Sequence, residues 1–389
     1  MPESLQNCVI IDAVRSPIGV RGGMLAGIRP DNLMAQVISG LLTRNPALPL
    51  DLLDDVVLGC AFPEGAQGLL LARSAAILAG IPVSAPAKIV SRLGGSSMDA
   101  VHQVDAAVQL EDYRAAIAGG IEDMFSVPEG GFNPSYHPEL VKKNYYLRMG
   151  ESAEILAREG KIEREVQEEF ALASHFKALD AWEKGRFNNE VIPVQHLNAI
   201  IARDEGPRKA EERDFASLAP EIFPGGTITA ATRSPASVGA AALLMVGETL
   251  AGELGLKPRA RVLSRGVAGV EWERTGMGAL AAAEKALHKA GLTIAEIDAI
   301  ELDESFAAQA LYVVLKSGWP FRKINLNGGA LALGHPPGCA GARMLVTLLN
   351  VLEQRRGRYG LAALSIAGGQ GIATVLERIP GEGWDGKTD

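Results

Sequence analysis

The feature that most constrains this chain is an order of elements written twice. An apolar β-branched run, a Gly-rich loop, a helical stretch and an apolar run ending in Gly-Gly occur in both halves of the 389 residues. In the first half, residues 8–14 (CVIIDAV) predict a strand followed by a loop with Gly19, Gly22 and Gly23, and Asp31 is expected to cap a helix to about Leu42. Residues 55–60 then predict a strand and residues 69–79 a helix. Residues 88–93 predict a strand running into Gly94-Gly95-Ser96-Ser97, followed by a helix over 98–108 and a strand over 115–120. From Ala260 the order restarts, with strands expected at 262–266 and 299–302, helices at 278–291 and up to Lys316, and a strand with its Gly-loop at 323–329. A helix from about Ala340 and a strand with its Gly-Gly end at 362–369 complete it. The landmarks Gly94-Gly95 and Gly119-Gly120 are matched in order by Gly328-Gly329 and Gly368-Gly369. Alternating β and α units imply a layered α/β fold, and the repetition implies two such halves. Loops at equivalent strand ends then converge on one site, which would bring Gly94, His335 and Ser365 together.

Between the halves, residues 121–226 have another character. They hold most of the aromatic and charged residues, and 151–187 reads as two amphipathic helices with solvated charged faces, so the segment is expected to be an insertion. A hydrophobic content of 47% supports a large core, while a net charge of −8 argues against general nucleic-acid binding. Cys8, Cys60 and Cys339 form neither a disulfide framework nor a metal-ligand spacing, which points to a reducing cytoplasm and no metal site. No apolar run reaches the roughly 18 to 20 residues of a membrane span, and the N-terminal residues do not read as a signal peptide.

Residues 325–343 (NLNGGALALGHPPGCAGAR) place the single histidine His335 in a Gly-rich turn before an apolar helix. Such a turn lets backbone approach a ligand closely, and the following helix start offers N–H groups and positive dipole, the elements of an anion or oxyanion site. Taken alone, the segment can equally be a packed turn with a surface histidine.

The motifs AVRSPIG, SRLGGSS, AIAGGIEDM, MGESAE, GTITAATRS, LDESFAAQA, NGGALALGHPPGCAGAR and SIAGGQGIA, in this order over nearly the whole chain, resemble the thiolase family, in particular its acetyl-CoA acyltransferases. The resemblance implies a duplicated five-layered αβαβα fold. Its N-terminal half would cover residues 1–120, completed by about 231–255. A CoA-binding loop domain would cover 121–230 and a C-terminal half 256–389. It further implies an acyl-CoA thioester as substrate with no tightly bound cofactor, and a homodimer or homotetramer, with a hetero-partner subunit as a further option. In that family a cysteine of the SRL(C)xS segment is the nucleophile, the GHP histidine activates it, and a second cysteine moves the α-proton. His335 matches that histidine, whereas the two cysteine positions carry Gly94 and Ser365, and the NEAF asparagine is Asp303, followed by Glu304. A serine hydroxyl is a poor proton shuttle and glycine has no side chain.

The expected catalytic set is therefore His335, Ser365, Asp303 and Glu304, with the backbone N–H groups of Gly94 and Ala367 as an oxyanion hole. Glu304 is alternatively a buried structural residue. Cys60 and Cys339 are not expected to replace the nucleophile. Ser96 or Ser97 could pair with His335, although Ser96 reads more simply as satisfying donors at a helix start. For CoA, Ser234 matches the family's pantetheine serine. The family's pattern is departed from at Ala231, Thr232, Ser237 and Val238, and Ala219 stands where a basic residue is common, which leaves Arg208, Arg203, Lys209 or Arg213 to contact phosphate. Residues 125–146 are expected to shape the acyl pocket.

Three functions follow: an acyl-CoA enzyme that forms or cleaves a C–C bond next to the thioester without an acyl-cysteine, a silent CoA-ester-binding or scaffolding subunit, and a conventional acetyl-CoA acyltransferase.

Overall fold

The computed structural model describes residues 6–380, except the side chains of Glu212 and Arg213. The first half comprises β1 (Cys8–Arg15), β2 (Gly19–Val20), α1 (Pro30–Arg44), β3 (Leu53–Gly59), α2 (Leu71–Leu78), β4 (Ala87–Val90), α3 (Ser96–Gln109) and β5 (Ala115–Asp123). The chain then leaves the sheet through α4 (Pro138–Lys142), α5 (Met149–Gly160), α6 (Arg164–Glu183), β6 (Val194–His196), β7 (Ala199–Ile201) and α7 (Glu212–Ala216). It returns as β8 (Ser237–Gly247) and α8 (Glu248–Glu253). The second half comprises β9 (Ala260–Gly269), α9 (Gly278–Ala290), β10 (Ala299–Leu302), α10 (Ala307–Ser317), α11 (Ala330–Leu333), α12 (Pro337–Arg355), β11 (Tyr359–Ile366) and β12 (Gln370–Arg378).

The strands lie in the order β10-β11-β12-β9-β1-β8-β5-β3-β4, with β2 beside β8. The halves meet at β1 and β9 through only two residue pairs, Val9 with Arg261 and Ile10 with Ala260. Each half combines parallel pairing (β3 with β4 and β5; β10 with β11) with antiparallel pairing (β5 with β8; β11 with β12 and β12 with β9). Side chains alternate across each sheet and fill three apolar clusters. The central one packs α3 and α12 (Met98, Val101, Val104; Met344, Leu345, Leu348) between the two half-sheets. The second covers the outer face of the first half with α1 and α2, and the third that of the second half with α9 and α10. This gives the five layers of the expected αβαβα thiolase fold.

Four details differ from the sequence reading. Arg29, not Asp31, is the N-cap of α1; Pro30 takes the first turn, where its missing N–H costs nothing, and Asp31 pairs with Arg29. The expected strand at 323–329 is absent. Asn325 adopts φ 44° and its side chain substitutes for a strand neighbour, accepting from Leu302 N and donating to Leu302 O at 2.8 and 2.9 Å. Helix α12 starts at Pro337, not near Ala340, so the helix begins two residues after His335. Strands β8 and β12, each bordered by strands on both sides and buried along nearly all of their length, are absent from the sequence reading. Among the described residues no helix is long and apolar enough to cross a membrane.

A buried charge cluster ties the excursion to the core. The guanidinium of Arg15, fully buried at the end of β1, bonds Glu190 Oε1 at 2.7 Å and both oxygens of Asp204 at 2.7 and 2.9 Å. Trp182 Nε1 also donates to Asp204, at 3.1 Å. Replacing Arg15 by methionine keeps most of the volume but leaves two buried carboxylates unpaired, an expected loss of about 3–5 kcal/mol in urea unfolding. A loss below about 1 kcal/mol would show that the cluster is not what holds the excursion.

Candidate active site

Two helix starts meet at the site. Gly341 of α12 lies against Met98 of α3 so closely that a Cβ at Gly341 would stand 2.6 Å from Met98 Cβ, and Ala342 N donates to Ser97 Oγ at 2.9 Å. The residues just before the helices, Gly94 and His335, therefore become neighbours. A second tether is Glu122, at the end of β5. Its buried carboxylate accepts from Ala61 N at 2.6 Å, Gln67 Nε2 at 2.8 Å and Gly338 N in the first turn of α12 at 2.9 Å. That acceptor satisfies a free N–H of the helix start and fixes the turn bearing His335.

The resulting cavity of about 380 Å³ is lined, among others, by Gly94, Ser234, Ser305, His335, Ser365 and Ala367. Most predicted site residues thus converge, including all three that the repetition implied would meet. A methyl group at Gly94 would sit 3.8 Å from His335 Nε2, 3.8 Å from the backbone oxygen of Ser365 and 3.9 Å from Leu364 Cδ1. These are ordinary contacts, and Gly94 is outside the left-handed region, so its backbone and surroundings admit a side chain.

His335 has Asp303 and Ser305 beside it. Nδ1 lies 3.4 Å from Asp303 Oδ1, and Nε2 lies 3.4 Å from Ser305 Oγ. Asp303 is fixed in turn: Ser305 N and Oγ donate to Oδ1 at 2.9 and 2.7 Å, and Gln309 Nε2 donates to Oδ2 at 2.9 Å. Burial holds the imidazole below the usual histidine range; the Asp303 carboxylate opposes that shift and the Arg343 guanidinium adds to it. At neutral pH the ring is uncharged and able to accept a proton, with a carboxylate placed to stabilise the imidazolium that forms.

Other expected residues are committed elsewhere. Ser365 Oγ donates to Gly276 O at 2.8 Å and accepts from Ala279 N at 3.3 Å, so its hydroxyl anchors the start of α9. Glu304 is buried away from the cavity lining, accepting from Asn325 Nδ2 at 2.6 Å and Ser174 Oγ at 2.7 Å, the structural alternative considered for it. Ser96 Oγ accepts from Arg92 N at 2.9 Å, and Ser97 Oγ holds Ala342, so both serines act at the helix starts. Cys339 is buried in the central core with its thiol pushed up to about 12 by burial, and Cys60 is buried with its thiol raised in the same way.

The CoA expectations separate. Ser234 lines the cavity and its N–H donates to Ser305 O at 2.9 Å. Arg208 and Lys209 line a different groove along α6, of about 1050 Å³, and Arg203 stacks on Trp182; the side chain of Arg213 lies outside the described residues. Arg148 and Arg233 border the cavity instead, Arg233 paired with Glu221. From the 125–146 stretch, Val127 and Glu129 reach the lining. Sequence reasoning missed Ser305, Glu122 and the two arginines. An Asp-x-Ser spacing, which commonly forms a side-chain turn, was the available signal for Ser305. Among the described residues no group of three or more His, Cys, Asp or Glu could hold a metal ion.

Residues 8–249 match the family description "Thiolase, N-terminal domain" and residues 256–378 "Thiolase, C-terminal domain". The chain belongs to the thiolase family. It is 43% identical over 388 residues to the 3-ketoacyl-CoA thiolases of Escherichia coli O1:K1 / APEC and Shigella sonnei (strain Ss046), covering 96% of this chain and 100% of each relative. Among solved structures, the Bacillus anthracis acetyl-CoA acetyltransferase superposes with a TM-score of 0.89 at 33% identity, covering 97% of this chain and 100% of that one.

Two outcomes test this geometry. In Asp303→Asn, removing the carboxylate that raises the His335 pKa should lower that pKa further, read from the imidazole resonances in an NMR titration; an unchanged or higher value would mean Asp303 does not act on the ring. Gly94→Cys should change stability by less than about 1 kcal/mol. It should also add one iodoacetamide-reactive thiol at neutral pH beside three inert ones, read by protein mass.

Proposed function

We propose that this thiolase-family enzyme forms or cleaves a C–C bond next to a CoA thioester without passing through an acyl-cysteine. The observation that carries the proposal is His335, uncharged and backed by Asp303, facing Gly94 where the family resemblance places the nucleophilic thiol. The acyl-CoA class is supported by the relatives, which are named 3-ketoacyl-CoA thiolase and acetyl-CoA acetyltransferase. Against the conventional acyltransferase route stands the side-chain chemistry. Losing the nucleophile of an acyl-enzyme mechanism costs on the order of a millionfold in turnover. The three native thiols are buried, and Ser365 is hydrogen-bonded away from proton transfer.

The elements that remain are those for stabilising negative charge. Gly94 and Ala367 line the cavity, their backbone N–H groups serve as the oxyanion hole in this reading, and the starts of α3 and α12 add positive dipole. Such a site lowers the energy of a thioester enolate, the species common to Claisen-type and aldol-type C–C chemistry. Ser234 lies along the pantetheine arm, with Arg148 and Arg233 at the cavity edge for phosphate in place of Arg208. The residues 121–230 form the CoA-binding part, and the assembly is a homodimer or homotetramer.

A panel of 3-oxoacyl- and 3-hydroxyacyl-CoA esters, incubated with and without free CoA and followed by mass spectrometry, tests the proposal. The expected result is C–C cleavage independent of added CoA, abolished in His335→Ala. Chain shortening that requires CoA and leaves an acylated residue would overturn it, and binding without turnover would make the chain a scaffolding subunit.

A further inference from the structure

Resting on that reading, we propose that the reaction is hydrolytic. Water, held over Gly94 by His335 Nε2, attacks C3 of a 3-oxoacyl-CoA and releases a free carboxylic acid and acetyl-CoA. Three observations carry it. Gly94 leaves room for a side chain's first atoms 3.8 Å from His335 Nε2, space that fits one small nucleophile beside the base. Asp303 flanks the Nδ1 side of the ring, which favours a proton on Nδ1 and an accepting lone pair on Nε2. Two of the three serine hydroxyls that line the cavity are engaged, Ser365 with Gly276 O and Ser305 with Asp303 Oδ1, and neither of these offers a free proton-transfer path comparable to His335.

The steps balance without a redox partner. His335 Nε2 takes one proton from water as the oxygen bonds to C3. The carbonyl electron pair moves to its oxygen, where the N–H groups of Gly94 and Ala367 receive the negative charge. On collapse the C2–C3 bond breaks, its electron pair passes into the thioester as an enolate, and C3 leaves as the carboxylic acid. The imidazolium then returns its proton to C2, giving acetyl-CoA. Asp303 acts as a positioning residue, stabilising the imidazolium between the two proton transfers.

The test uses the full chain with 3-oxohexanoyl-CoA in H2(18)O without free CoA. Expected products are butyrate with a single heavy oxygen and an equal amount of acetyl-CoA, with no acyl adduct on the quenched protein. His335→Ala should lower the rate at least ~100-fold. Asp303→Asn should lower kcat and move the ascending limb of kcat/KM to lower pH, which a merely structural role would not do. Aldehyde release from a 3-hydroxyacyl-CoA, with the 3-oxo ester untouched, would overturn the hydrolytic step while leaving C–C cleavage standing. An acyl group on Ser305 would overturn direct attack by water. Cleavage only with added CoA, or no turnover of either ester, would overturn both readings.

Discussion

The structure depends on how closely α3 and α12 approach each other at their first turns. Protein interiors are close-packed, and here the glycines admit no further atom: a Cβ at Gly120 of β5 would lie 2.2 Å from Gly338 O of α12 and 2.6 Å from Ser97 Cβ of α3, and one at Gly341 of α12 would meet Met98 of α3. Because the helix starts cannot be separated without opening the central core, the residues immediately before them are held together. Gly94 and His335 come from distant parts of the chain, yet their spacing is a property of core packing. The site is as rigid as the layer that carries it.

Around that contact, buried carboxylates divide into two roles by what they accept. Glu122 and Glu304 are saturated by backbone and side-chain donors, and each fixes a turn next to the cavity: Glu122 the His335 turn, Glu304 the segment from Asn325 to Leu331. Arg15 with Glu190 and Asp204 does the same for the excursion between β5 and β8. Asp303 differs because one of its oxygens, although already bonded to Ser305, also faces an imidazole. A carboxylate there favours a ring that cycles through a positive charge, whereas an amide would favour a neutral ring acting as donor. The identity of one atom at position 303 thus tilts the histidine toward base chemistry.

Much of this was legible in the chain. The repeated order of strands, Gly-loops and helices predicted the layers and the meeting of Gly94, His335 and Ser365, since hydrophobic periodicity and glycine placement are local signals of packing. Partner choice was harder to read. Ser365 stood in the expected catalytic set, yet its hydroxyl is spent on Gly276 O, and Arg208, expected at a phosphate, lines the groove along α6 and not the cavity at His335. Asn325 erased a predicted strand because a side chain can supply the hydrogen bonds of a neighbouring backbone. Ser305 escaped notice because its significance lies in two contacts made across a turn.

By itself the sequence determined the duplicated α/β architecture, the family and the residue types available at the reacting position: a histidine, an aspartate, and a glycine where the resemblance places a thiol. Only the tertiary structure decided which of the polar side chains remain free to act. Hydrogen-bonding capacity is finite, and burial forces each donor and acceptor to be used by whatever neighbour the packing supplies. Composition names the candidates, and the three-dimensional neighbourhood consumes most of them, leaving His335 with Asp303 beside it and open space over Gly94.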